Sequence, residues 1–233
     1  MGCQENKEAN QTEVNELKEE ENKNHRTVYA VKVIEAPKTI TSPAEAVVHQ
    51  FEVIFTNGEK AFLNKDAVIS EAILGSKSIV TVHSPEGKNH YRVFLYEHKD
   101  KWFMDSLLAI NAWKDGPFTD KEGLNLPMDT FNKTDFKHDG KEIWAFVDEQ
   151  RIVTISVFDK LSFEKRPETN SVTLNNGNEA YLSRGSQGND YLYYFDFDKV
   201  ILVSGNLEKN EIVSLANSLP SVDSFDFPHS ASY

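Results

Sequence analysis

The stretch NDYLYYFDFDKVILVSGNLEKNEIVSLANSL, residues 189–219, reads as a β-hairpin that runs directly into a helix. Tyr191, Tyr193, Phe195 and Phe197 occupy every second position and so share one face of a strand. Residues 200–203 return as the partner strand after a tight turn at Asp198 and Lys199. Beyond them Ile212, Leu215, Ala216 and Leu219 recur at three- and four-residue spacing, which gives the last segment a single apolar stripe. Asn206 is the expected N-cap and Pro220 the expected stop. The stripe is expected to lie on the aromatic face of the hairpin.

Working outward from this hairpin, residues 127–220 read as one unit. Strands are expected at 142–147, 152–158 and 180–183, with turns at Asp139-Gly140 and at Asn175-Asn176-Gly177. An earlier unit is expected over 27–110. It opens with a strand at 28–34, after which Ser42 caps a helix with Pro43 at its first position. Val47, Val48, Phe51, Ile54 and Phe55 supply that helix with an apolar face, and Asn57-Gly58 ends it. A second short helix is expected over 65–74, then a meander of strands at 79–83, 91–97 and 102–108. Residues 111–126 carry Gly116-Pro117 and Gly123 and read as a linker, and 221–233 as a tail with Phe225, Phe227 and Tyr233. The fold class expected is α+β: two small units, each an antiparallel sheet with helices packed on one face.

Two resemblances attach to these units. Ser42, Pro43, Glu45 and Ala46, with Lys101, Trp102, Phe103, Asp105 and Ser106, make the first unit similar to the cone-shaped nuclear-transport-factor-like domains. That family holds both enzymes and ligand binders. The second unit, through residues 176–181, Gly205, Ala216, Ser218 and Leu219, resembles an uncharacterised C-terminal domain of Firmicute membrane-anchored, secreted and sporulation-associated proteins. This resemblance implies a place at the cell envelope and carries no catalytic residues.

The single cysteine, Cys3, excludes a disulfide within the chain. Gly2-Cys3 resembles the end of a bacterial lipobox, in which the cysteine becomes the lipidated first residue, and Met1 is then an artificial start. Residues 4–24 are nearly all Gln, Glu, Asn, Lys and Thr, too polar to pack, as suits a tether between an anchor and a folded body. The competing readings are a disordered tail with an incidental cysteine and N-myristoylation at Gly2; Asn6 stands where the latter pattern wants Ser or Thr. Residues 1–26 are therefore expected to be a disordered lipoprotein-type tether. The net charge of −12 argues against nucleic acid and anionic lipid surfaces as partners. The membrane is expected to be reached through the lipid alone.

Chemistry-bearing residues are scattered. Asp196 and Asp198 lie near Asn189 and Asp190, but calcium-loop spacing is absent, and acidic residues beside a hairpin turn are ordinary turn formers. His83 and His90 flank a turn, with His98 further along, and lack a third ligand at fixed spacing. Gly185-Ser-Gln-Gly188 lacks the lysine and following helix of a phosphate loop, so it reads as a hairpin connection. No nucleophile elbow accompanies the serines. Leu192 and Tyr194, on the other face of the aromatic strand, are the candidate binding surface, or else pack on the first unit. No metal or cofactor is expected.

The function expected from these readings is a non-enzymatic, extracytoplasmic lipoprotein anchored through Cys3, acting on an envelope protein or a small ligand. The alternative is a small-molecule binder or enzyme using a pocket in the first unit, with His83 or Asp105 among its polar groups. A third option is a regulatory or immunity-type protein whose acidic surface masks a basic envelope component.

Overall fold

The computed structural model describes residues 27–114, 117–160, 162–163 and 169–229. Within them lie β1 (Val28–Val33), α1 (Pro43–Gln50), β2 (Phe51–Phe55), β3 (Lys60–Phe62), β4 (Val68–Leu74), β5 (Lys77–His83), β6 (His90–His98) and β7 (Trp102–Asn111). There follow β8 (Asn132–His138), β9 (Lys141–Val147), β10 (Ile152–Asp159), β11 (Asn170–Thr173), β12 (Glu179–Arg184), β13 (Asp190–Asp196), β14 (Lys199–Gly205) and α2 (Lys209–Ser218). The expected α+β class is corrected by this inventory. The chain is mostly antiparallel sheet, in three sheets, with only two α-helices among the described residues.

The correction has two local causes. The helix expected to run from Ser42 to Asn57 stops at Gln50, and 51–55 continue as β2. Val47, Val48, Phe51, Ile54 and Phe55 do fit a helical stripe, yet Phe51, Val53 and Phe55 also alternate, and all three are buried as a strand. β-branched and aromatic side chains favour that choice once a sheet partner exists. The expected helix over 65–74 is a 3-10 turn at Lys65–Ala67 leading into β4. Gly75, at φ 59°, then makes the turn into β5 rather than closing a helix.

The sheets stack. In strand order the first is β1-β2-β3, the second β4-β5-β6-β7 and the third β11-β12-β13-β14-β10-β9-β8. Phe51, Val53 and Phe55 with α1 residues Ala46 and Val47 pack on Val80, Val82, Phe94 and Tyr96 of the four-stranded sheet. Its opposite face, with Leu74, Ile79, Tyr91, Val93 and Leu95, packs on Ile143, Ala145, Tyr191, Tyr193, Val200 and Leu202 of the seven-stranded sheet. One continuous core thus joins the two sequence units. Each fully buried large side chain there contributes about 1.5–3 kcal/mol relative to exposure.

The far face of the seven-stranded sheet carries α2. Ile212, Leu215, Ala216 and Leu219 lie with Leu192, Tyr194, Ile201 and Val203, so the helix covers the Leu192–Tyr194 face and not the Tyr191–Tyr193 face. The two faces of β13 exchange their expected roles. The hairpin turn falls at Phe197 and Asp198, one residue early, with Phe197 at φ 52°. Asn206 does not cap α2: its Oδ1 accepts the Ile152 N–H at 2.7 Å and its Nδ2 donates to the Gln150 carbonyl at 2.9 Å. The cap position falls to Glu208, whose N–H donates to Glu211 Oε2 at 2.9 Å. Gly205 allows the turn out of β14, since a Cβ there would stand 2.1 Å from the Ile152 carbonyl oxygen.

After α2, Asp196 Oδ2 accepts the Ser221 hydroxyl at 2.9 Å and the Val222 N–H at 2.8 Å. Phe227 then packs edge-on to Trp144 at 5.4 Å, while Phe225 stays exposed.

Candidate functional site

The site is built where the β12–β13 hairpin meets β4. Arg184 and Asp190 close that hairpin as directly opposed residues, and Gly185 carries the chain against the backbone of Glu71. A Cβ on Gly185 would lie 2.1 Å from the Glu71 carbonyl oxygen, which makes glycine necessary for the approach. Asn189 then spans the gap: its Oδ1 accepts the Glu71 N–H at 3.2 Å and its Nδ2 donates to the Glu71 carbonyl at 3.4 Å. The Glu71 side chain turns the other way and accepts the Ala44 N–H at 2.8 Å, at the first turn of α1.

These contacts frame a cleft of about 700 Å³, lined among others by Ser42, Glu71, Arg184, Ser186, Asp190 and Lys209. Its volume falls within the range of small-molecule sites. A smaller recess of about 190 Å³ adjoins it, sharing Ile73 and Ser183 and walled by Phe163, Tyr191 and Tyr193. Phe163 and Tyr193 meet edge-on at 5.4 Å. The Tyr191 hydroxyl donates to the Ile73 carbonyl at 2.9 Å. Burial, with smaller contributions from Tyr191 and Tyr181, pushes the Tyr193 phenol up to about 12, so it stays neutral.

The charges of the cleft are unequal in availability. Glu71 is only 1% exposed and is occupied by Ala44. Arg184 is exposed; its Nε donates to the Gly188 carbonyl at 2.9 Å, and its two terminal nitrogens make no hydrogen bond to a described residue. Lys209, the first residue of α2, is exposed as well. Neither cation forms an ion pair with a described residue. Asp190 is the half-buried counter-charge. The accessible balance is thus two cations to one anion, on a protein of net charge −12.

The residues singled out by sequence are dispersed. Leu192 and Tyr194 are fully buried beneath α2, so they form a core face and not a binding surface. Cys3 lies outside the described residues. His83 packs on Tyr91 at 4.8 Å, His90 on Trp113 at 5.4 Å and His98 on Trp102 at 4.8 Å, which sends three histidines to three aromatic partners. Among the described residues no three His, Cys, Asp or Glu side chains group as metal ligands. Asp105 accepts from Lys141 Nζ at 2.8 Å and from the Ser106 hydroxyl at 3.0 Å. Its burial opposes ionisation, but Lys141 and Ser106 outweigh that and hold the carboxyl below its ordinary value.

Both faces of the β5–β6 meander are filled by core, so the cleft that does form takes its walls from both sequence units. Arg184 and Lys209 went unmarked in the sequence because they stand 25 positions apart in unrelated elements (209 − 184 = 25). The Gly185–Gly188 loop was the available signal, through its two glycines in a polar hairpin connection. No described helix is long and apolar enough to cross a membrane. Compared with family models, curated proteins and solved structures, the chain matches none.

Proposed function

We propose that this protein is a non-enzymatic, lipid-anchored component of a Gram-positive cell envelope, acting by binding, with the cleft between β4 and the β12–β13 hairpin as its ligand face. The observation that carries the binding role is the cleft: two exposed cations and several hydroxyl groups line it beside the clasp of Asn189 on the Glu71 backbone. The anchoring role is supported by Gly2-Cys3 and the polar run that separates it from β1. The net charge of −12 fits a body held away from anionic lipid by such a tether. The small-molecule reading of the first unit converges on the same place, because Ser42, Glu71 and Ile73 supply one wall.

The anchoring test is intact-mass analysis of the protein produced from its whole gene in its own host and extracted from membranes. The expected result is a diacylglycerol adduct on the residue corresponding to Cys3, with everything before it removed. An unmodified chain recovered in the soluble fraction overturns the anchor. The binding role is tested separately below.

A further inference from the structure

The cleft and its recess differ in chemistry, and that difference selects a ligand. At the wide end Arg184 offers two guanidinium nitrogens without a hydrogen bond to a described residue and Lys209 an ammonium group, with the hydroxyls of Ser42 and Ser186 also lining the cleft. Of the two carboxylates that line the cleft, Glu71 is buried and held by Ala44, which leaves half-buried Asp190 as the one accessible counter-charge to two cations. At the narrow end Phe163, Tyr191, Tyr193 and Ile73 wall about 190 Å³ of space whose lining is mixed, with Thr169 and Ser183 adding hydroxyls, and the aromatic wall suits one aromatic ring or a short branched alkyl group. The Tyr191 hydroxyl is turned to the Ile73 backbone and the Tyr193 phenol is neutral, so among the described residues no charged side chain lines the recess.

We propose that the cleft binds a small amphipathic carboxylate, its carboxyl group held by Arg184 and Lys209 and its apolar body inserted among Phe163, Tyr191 and Tyr193. The planar fork of a guanidinium matches the two oxygens of a carboxylate. The ammonium of Lys209 adds a second charge in a protein whose field otherwise repels anions. The inference rests on the binding role proposed above for the cleft and is independent of the lipid anchor.

The test uses residues 1–233 and three probes that share the phenylalanine side chain: N-acetylphenylalanine, its neutral amide, and the cation phenylalaninamide. Binding is followed by amide chemical shifts and by titration calorimetry. The expected result is saturable binding of N-acetylphenylalanine that moves the amides of Ser183, Arg184, Ser186 and Lys209, with the neutral amide at least about tenfold weaker, since a charge-assisted hydrogen bond is lost. The double variant Arg184→Gln, Lys209→Gln should weaken the carboxylate by about tenfold or more while leaving the neutral amide unchanged. Both positions are exposed, so the unfolding midpoint of that variant should equal the parent's. Phe163→Leu should weaken the acid and the amide together. Equal binding of acid and amide, or preferential binding of the cation in the cleft, overturns the carboxylate assignment and leaves the binding role standing. Failure of all three probes to move the cleft resonances overturns both.

Discussion

The carboxamide of Asn189 pairs with both backbone groups of Glu71, 118 residues earlier in the chain, and so acts as a one-residue strand against the edge of β4. An edge strand leaves a row of unpaired N–H and C=O groups, and here a single side chain satisfies one pair of them. Asn189→Ala should lower stability by about 1–2 kcal/mol, because two part-buried backbone groups lose their partners. Urea denaturation should show a lower midpoint with an unchanged slope. Gly185→Ala should cost at least as much, since its Cβ would collide with the Glu71 carbonyl. An unaltered midpoint in both variants would refute the clasp.

Leu192→Ala should destabilise by about 2–5 kcal/mol, the usual range for a truncated core leucine. Leu192 is fully buried between β13 and α2, which ties its loss to the docking of that helix. Amide exchange in α2 should quicken more than exchange in β5 or β6. A variant of parental stability with altered partner binding would instead return Leu192 to the surface.

Gly205→Ala should be among the most disruptive single substitutions. Its φ of 145° is strained for any L side chain, and the added carbon would stand 2.1 Å from the Ile152 carbonyl oxygen. A loss of about 3 kcal/mol or more is expected from combined strain and displacement. Thermal unfolding followed by near-UV circular dichroism would measure it; a shift in midpoint of under a degree would contradict the close approach.

Stability should decline as pH falls from 7 to 5.5. Burial lowers the affinity of His83 for a proton, partly offset by a hydrogen bond to the Lys88 backbone. Burial does the same to His229, with Glu122 opposing it. For a histidine depressed in the folded state, the unfolded chain binds the proton first. Stability is then full above the ordinary value near 6.5 and falls as pH drops through it. The double variant His83→Gln, His229→Gln should flatten this decline in chemical denaturation measured across the window. An equally steep decline in that variant would remove the histidines from the account.

The β13–β14 hairpin and α2 are legible in the sequence because alternation and three-four spacing lie side by side in 31 residues (219 − 189 + 1 = 31). Which face of β13 receives α2 is not legible, since Tyr191 and Tyr193 on one side and Leu192 and Tyr194 on the other are all large and apolar. Both faces are buried, one against a helix and one against a sheet, and a strand buried on two sides carries no polar face to orient it. β8 and β11 escaped notice for the opposite reason. Asn132–His138 holds one large apolar residue and Asn170–Thr173 one valine, and both are strands at the edges of the seven-stranded sheet. The cleft was hidden because it depends on Glu71, Arg184 and Lys209 meeting, and only the stacking of sheets brings them together.

That stacking also sets a timetable for the ribosome. The four-stranded sheet is complete once Asn111 has been made, but its cover from β9, β10, β13 and β14 is finished only at Gly205, 94 residues later (205 − 111 = 94). At translation rates of about 5–20 residues per second that interval is about 5–20 s. Through it the nascent chain carries Leu74, Ile79, Tyr91, Val93 and Leu95 with no permanent partner. Factors that shield emerging chains are therefore expected to engage this protein chiefly between the synthesis of β7 and that of β14.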